Sequence, residues 1–252
     1  MQDMNWIAAI LFFPLFPFGM IFNTVFQRVR SGLLRVVLLL TWPLPGVWIL
    51  QHTASVMPGW IAYWALFSAV LYGFRAVVIK EFGMWIGFLA TSSWVLIWIG
   101  FESGVGIDNI VFHIFAFSLP LSLVTILVAE LEKRYESAYT GVVSGLAEAQ
   151  PRLSGLFVVA MLAVIGSPLF PAFFSMLDKI KQTIVVLPVV TAGLVSVWFL
   201  WSWSGMRLLQ GLLVGSAVQL PKDDIGYGVM ALYITLFMIL IIAGMYFSRV
   251  ML

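Results

Sequence analysis

The sequence predicts an all-α protein, a polytopic bundle of about eight transmembrane helices. Hydrophobic residues make up 62% of the 252 positions and charged residues only 10%. Apolar runs of about 20 residues, the length that a span needs, follow one another along almost the whole chain. Trp6, Trp60 and Trp98 fall near the ends of these runs, as in the aromatic belts at membrane interfaces. We therefore predict a single transmembrane domain over residues 1–252.

The first five spans precede the longest polar stretch of the chain. Pro14 and Pro17 lie inside the first span, a basic turn separates it from the second, and Lys80 and Glu81 separate the third from the fourth. Short uncharged or acidic loops divide the others, and residues 130–152 are expected to form an interfacial helix and a loop. These five spans are predicted at residues 6–26, 33–50, 60–79, 83–101 and 109–129.

The sixth span, residues 153–182, is predicted to be a broken helix. Gly166, Ser167, Pro168 and Pro171 lie at its centre, and the apolar runs on either side are too short to cross a bilayer alone. Two prolines and a glycine within six residues prevent a continuous helix. Transporters build ion and substrate sites from such breaks, although a proline kink without a function is the alternative. Residues 183–208 and 225–247 complete the eight spans.

The distribution of lysine and arginine predicts that both termini lie outside. With that orientation, ten basic residues fall in cytoplasmic loops and three on the outer side, which follows the positive-inside rule. The ten are Arg28, Arg30, Arg35, Arg75, Lys80, Lys133, Arg134, Arg152, Arg207 and Lys222. The three are Lys179, Lys181 and Arg249.

Few residues within the predicted spans can carry chemistry. His113 lies near the start of the fifth span, and a histidine can relay protons near neutral pH; a histidine that is hydrogen-bonded to the backbone of a neighbouring helix is the alternative. Lys80 stands at a span boundary, where a lysine that extends to the interface is the alternative. Asp178 and Lys179 follow the break, where a solvated helix end is the alternative to a functional role. These four residues are the candidates for an ion pathway.

Other function classes are excluded or disfavoured by the sequence. The chain has no cysteine, which rules out thiolate metal sites, and its two histidines are far apart. No motif for a nucleophile, a phosphate loop or a paired-histidine metal site is present. A net charge of +2 spread over many loops does not fit a nucleic-acid-binding protein. We expect no catalytic residues, no metal, no cofactor and no enzymatic activity of this chain alone.

Four stretches of residues 63–252 share their order and spacing with one family. The first is Ala-Val-Val-Ile-Lys at residues 76–80, leading into residues 92–100, and the second is Ile-Val-Phe-His at residues 110–113. The third covers residues 144–151, 163–168 and 172–175, and the fourth covers residues 192–207 with Gly215. This region resembles the C-terminal half of the antiporter-like membrane subunits. They comprise proton-pumping subunits of complex I, Mrp-type antiporters and membrane partners in inorganic-carbon-accumulating complexes.

The resemblance also shows what this chain has lost. The family's lysine or glutamate after the break is replaced by Met176, and the positions that follow the family's histidine are occupied by Phe117 and Leu121. Residues 1–62 diverge from the family and lack its N-terminal half. Only Lys80 and His113 stand at matching places, with Asp178 and Lys179 displaced by two or three positions from the lost charge.

The resemblance therefore implies a shortened subunit of a multi-subunit complex in the bacterial inner membrane. The complex would be coupled to H⁺ or Na⁺ and could power inorganic-carbon uptake. Its expected partners are a full-length antiporter-like subunit, a soluble catalytic subunit and membrane lipid. The chain would act either as a scaffold or as part of an ion path, and an autonomous small transporter is the alternative.

Overall fold

A computed structural model describes residues 4–52, 58–102, 106–215 and 223–251, and these residues are almost entirely helical. A 3₁₀ helix, Met4–Leu11, precedes twelve α-helices. They are α1 Gly19–Arg28, α2 Gly32–Thr41, α3 Leu44–His52, α4 Trp60–Val78, α5 Phe82–Trp94 and α6 Ile97–Glu102. The remaining six are α7 Ile107–Tyr135, α8 Leu146–Ala149, α9 Pro151–Val164, α10 Pro171–Thr183, α11 Pro188–Leu213 and α12 Tyr227–Met251.

The predicted all-α transmembrane bundle is confirmed. Within the described ranges, six helical segments are long and apolar enough to cross a membrane. They are Gly32–His52, Trp60–Val78, Phe82–Phe101, Ile107–Tyr135, Pro188–Leu213 and Tyr227–Phe247. The predicted first and sixth spans correspond to two interrupted segments, the 3₁₀ helix with α1 and α9 with α10. The number of crossings and the side of the termini stay predictions.

The first apolar segment differs from a continuous span. Residues 12–18 separate its two helices, because Pro14 and Pro17 have no backbone N–H to donate. Side chains from other helices compensate: the indole N–H of Trp98 donates to the carbonyl of Phe13 at 2.8 Å. The hydroxyl of Ser68 accepts from the backbone N–H of Phe16 at 2.9 Å. This second break is therefore stabilised by α4 and α6.

The polar stretch at residues 130–152 also differs from the prediction of an interfacial helix. Its first six residues extend α7 to Tyr135, and the helix ends at Glu136, whose left-handed backbone (φ 57°) cannot continue it. A loop and the four-residue helix α8 follow. A membrane helix is stabilised along its whole length by packing, so the charged turn that extends beyond the apolar run stays helical.

One end of the bundle, the basic end, collects most of the cations that the sequence assigns to the cytoplasmic side. Arg35 on α2 forms an ion pair with Glu132 on α7 at 2.9 Å. Arg152 at the start of α9 lies 3.5 Å from the carboxylate of Asp224. The backbone N–H of Thr140 donates to the carbonyl of Lys80.

Parts of three predicted loops are not described. The following lie outside the described residues: Lys222, residues 53–57 of the predicted loop before α4, and residues 103–105 of the acidic loop before α7.

Candidate functional site

His113 is buried on α7, six residues after the start of the helix, which is about 9 Å along its axis. Its side chain is 1% exposed. Nε2 lies 2.8 Å from the carbonyl oxygen of Ser93, and Nδ1 lies 2.7 Å from the hydroxyl of Ser175. A carbonyl only accepts hydrogen bonds, so Nε2 carries a proton and donates it to Ser93. In the neutral imidazole, Nδ1 then accepts from the Ser175 hydroxyl.

Ser175 and Lys179 lie one turn apart on α10, on the face that packs against α7. Lys179 is 5% exposed. Among the described residues no carboxylate lies within ion-pair distance of Lys179, and the charge of Asp178, its neighbour in the chain, acts on it from further away. A buried ammonium group without a close counter-ion is costly and is a functional candidate for that reason.

Asp178 connects α10 to the first turn of α7. One of its carboxylate oxygens accepts from the amide of Asn109 at 3.3 Å and from the amide of Gln182 at 2.7 Å. Asn109 also lines an open cavity of about 680 Å³ together with Asp108, Phe112 and Tyr246. Polar groups therefore extend from this cavity to Asp178, Ser175 and His113. We call this end of the bundle, where α7 begins, the histidine end.

On the other side of His113, along α7, aromatic and aliphatic side chains predominate, and the buried polar groups of the helix are the hydroxyls of Ser118, Ser122 and Thr125. Phe117 lies one turn further along α7, with its ring 5.0 Å from the imidazole and 5.1 Å from the indole of Trp201. Phe117, Leu121 and Met176, the positions where the resemblance predicts that charges have been lost, are each fully buried. The core next to the histidine is therefore apolar and tightly packed in the direction of the basic end.

Three tryptophans are buried in the core on α5 and α11, and each donates its indole N–H to a serine hydroxyl. The pairs are Trp94 with Ser118 at 3.2 Å, Trp201 with Ser92 at 2.8 Å and Trp85 with Ser204 at 3.0 Å. Every one of these indoles is 0% exposed. The indole N–H groups are thus satisfied within the protein.

The predicted break in the sixth span is present, and protein groups satisfy it. Gly166 adopts a left-handed φ of 72°, and the chain turns through Ser167 and Pro168 before Pro171 begins α10. The carbonyl of Ile165, which the break releases, accepts the indole N–H of Trp198 at 2.9 Å. The backbone here is therefore stabilised by α11, as the break at residues 12–18 is stabilised by α4 and α6.

Lys80 lies at the basic end, away from His113. It is exposed in the connection between α4 and α5, whereas Ser93, which contacts the histidine, is near the far end of α5. Thirteen helical residues correspond to about 20 Å. The structure therefore brings together His113, Asp178 and Lys179 but not Lys80, whose role in an ion path stays a prediction.

Several contributors were not identified as such from the sequence. Ser175 and His113 are 62 residues apart, and Trp201 and Ser92 are 109 residues apart, so no local pattern reveals either pair. Nothing in the sequence around Asn109, apart from its place at the start of a helix, indicated its contact with Asp178. Among the described residues, no group of three or more histidines, aspartates or glutamates is arranged to hold a metal ion.

Comparisons with known proteins agree with the fold. No family model matches the chain. An uncharacterized protein of Aquifex aeolicus (strain VF5) is 22% identical over 223 residues, which cover 86% of this chain and 89% of that protein.

Solved structures give closer agreement in fold than in sequence. A chain of respiratory complex I from Thermus thermophilus superposes with a TM-score of 0.86 over 95% of this chain, at 18% identity. A chain of an archaeal membrane-bound sulfane sulfur reductase gives 0.82 at 17% identity over 97% of this chain. The Mrp complex of Dietzia sp. DQ12-45-1b also gives 0.82, at 15% identity over 98%.

This chain spans about half the length of each of the three solved chains, 53%, 52% and 56% respectively. Its resemblance to the antiporter-like membrane subunits is thereby confirmed for the fold, in a form that matches about half of such a subunit.

Proposed function

We propose that this chain is an accessory subunit of a proton- or sodium-coupled complex in the bacterial inner membrane, and that it contributes one half of an ion path. The observation that carries the proposal is the asymmetry around His113. A cavity, Asn109, Asp178 and Ser175 lead to it from the histidine end, whereas buried aromatic residues close the other side. The fold shared with chains of three energy-converting membrane complexes supports this proposal.

A proton can reach His113 only from the side of Ser175, because Nε2 already donates to Ser93. When Nδ1 is protonated it becomes a donor, and the Ser175 hydroxyl must rotate to accept instead of donate. Protonation of His113 and reorientation of Ser175 are therefore coupled. Lys179, one turn away on α10, adds a positive charge that opposes a second one on the imidazole.

Movement of an ion across the whole membrane then requires a second subunit. A bare charge in the middle of a bilayer costs several kcal/mol, and the three Trp–Ser pairs offer no titratable side chain to share it. A full-length antiporter-like subunit would supply the missing half, and a soluble catalytic subunit would supply or use the energy. Uptake of inorganic carbon is one setting for such a complex. In this role the chain performs no catalysis itself.

The test combines purification and transport. The tagged chain is isolated from its host in mild detergent, the co-purifying chains are identified by mass, and the complex is placed in vesicles with a pH-sensitive dye. We expect His113→Gln and Ser175→Ala to abolish coupled proton movement. His52→Gln is the matched control, because His52 is exposed on α3 and should leave transport unchanged.

Two outcomes would contradict the proposal. If vesicles that contain this chain alone move protons at the rate of the complex, the chain is an autonomous transporter. If the complex keeps full coupled activity with both His113→Gln and Ser175→Ala, the chain is a scaffold without a half-path. Ser175→Thr, which keeps the hydroxyl, should retain activity and shows whether loss in the alanine variant comes from chemistry rather than from packing.

A further inference from the structure

A small cavity opens at the basic end, at a distance from the histidine site. It has a volume of about 190 Å³ and lies between the end of α4, the loop after α7 and the last turns of α11. Its lining includes Lys80, Thr140, Gly141, Arg207, Leu208 and Gly211. Two cations thus face one cavity, and no carboxylate lines it.

The positive charge of this cavity is not balanced by the protein. Within the described ranges, neither Lys80 nor Arg207 belongs to an ion pair. Arg207 donates one guanidinium N–H to the carbonyl of Val77, which fixes the side chain and leaves its other donors available. The Thr140 hydroxyl donates to the carbonyl of Lys80 at 3.3 Å, which ties the loop after α7 to this site. A phosphate group fits such a pair of donors.

Exposed apolar side chains lie near the cavity along the two helices that border it. Phe74 and Val78 are 60% and 63% exposed on α4, and Trp203 and Met206 are 54% and 50% exposed on α11. These four residues lie within about two turns of the cavity on two helices that pack against each other. A ligand with a phosphate and long apolar chains would therefore place both parts in matching surroundings.

We propose that this cavity binds the headgroup of an anionic phospholipid, with the phosphate between Lys80 and Arg207 and the acyl chains along α4 and α11. Basic pockets between membrane helices on the cytoplasmic side are suited to such headgroups. The site would anchor the basic end in the anionic leaflet and fix the loop after α7. This proposal does not depend on the ion path, since the two sites lie at opposite ends of the bundle.

The test measures lipid retention by native mass spectrometry of the full chain in mild detergent, with phosphatidylglycerol or phosphatidylcholine added. We expect phosphatidylglycerol adducts on the unaltered protein. Each cation near a headgroup contributes about fivefold in affinity, so Lys80→Gln with Arg207→Gln should weaken binding by about thirtyfold. The control, Arg28→Gln with Arg30→Gln, also removes two exposed charges and should bind as the unaltered protein does.

The conservative double variant, Lys80→Arg with Arg207→Lys, should bind normally and shows that loss of binding comes from the removed charge. Equal retention by the double glutamine variant would overturn the proposal. So would equal retention of phosphatidylcholine, or displacement of the lipid by millimolar inorganic phosphate, which would indicate a free-phosphate site. If the glutamine variant keeps the lipid but loses a co-purifying subunit, the cavity is a protein contact instead.

Discussion

Packing of α12 against the broken helix gives a sharp test of this structure. Gly244 lies directly over the break, where a Cβ atom would stand 3.0 Å from the nitrogen of Pro171 and 3.1 Å from the carbonyl oxygen of Leu169. Both are backbone atoms, and Leu169 already holds an uncommon φ of 114°. The break therefore has little freedom to move away from an added methyl group. We expect Gly244→Ala to cost about 1–3 kcal/mol through overpacking.

Gly155→Ala is the matched control for that variant. Gly155 lies inside α9 with nothing within 4 Å of its ideal Cβ position. Both substitutions gain the same helix propensity, up to about 1 kcal/mol, so the difference between the two variants isolates the clash. For a chain of this size, each kcal/mol shifts the unfolding midpoint by about 2–4 °C. The measurement is thermal unfolding in detergent, followed by tryptophan fluorescence. Equal unfolding midpoints for Gly244→Ala and Gly155→Ala would refute this packing.

Two further predictions concern contacts that stabilise the same bundle. Trp198→Phe leaves the carbonyl of Ile165 without its indole donor, and we expect it to destabilise the protein by about 1–3 kcal/mol in the same unfolding assay. Trp203→Phe is the control, because Trp203 lies on an exposed side of α11 and its replacement should have little effect. Arg35→Gln and Glu132→Gln should each lower the unfolding midpoint, because they break the ion pair at 2.9 Å. The double variant should lower the midpoint by less than the sum of the two single shifts. Strictly additive shifts would show that Arg35 and Glu132 do not stabilise each other.

Local signals in the sequence predicted the features that depend on backbone chemistry. Proline and glycine act on their own turn of helix, so Gly166 and Pro171 identified the break before any contact was known. Pro14 and Pro17 carried the same information, yet residues 6–26 were interpreted as one span. The segment is long and apolar enough for that reading, and only the structure shows indole and hydroxyl groups of later helices at its freed backbone atoms.

The candidate site required contacts between helices that are distant in sequence. His113 could be selected because a histidine in an apolar span is rare, and Lys179 because it follows a break. Nothing local shows that Ser175 faces the imidazole, or that Lys179 points into the bundle rather than to its surface. Those facts depend on how α7 and α10 pack, which is a tertiary property. Sequence reasoning thus named the titratable groups but not the hydrogen bonds that set their chemistry.

The same packing accommodates apolar residues at the positions where the resemblance predicts charged ones. A charged side chain in the middle of the membrane needs water or a counter-ion. If the charged side chain is replaced by an apolar one, a cavity is left unless neighbouring side chains fill the space. Here Phe117, Leu121 and Met176 are fully buried, so apolar side chains fill the space at those positions. A lysine introduced at Met176 would be placed in a fully buried position without a counter-ion. We expect it to destabilise the chain, because a buried charge that lacks a partner is costly.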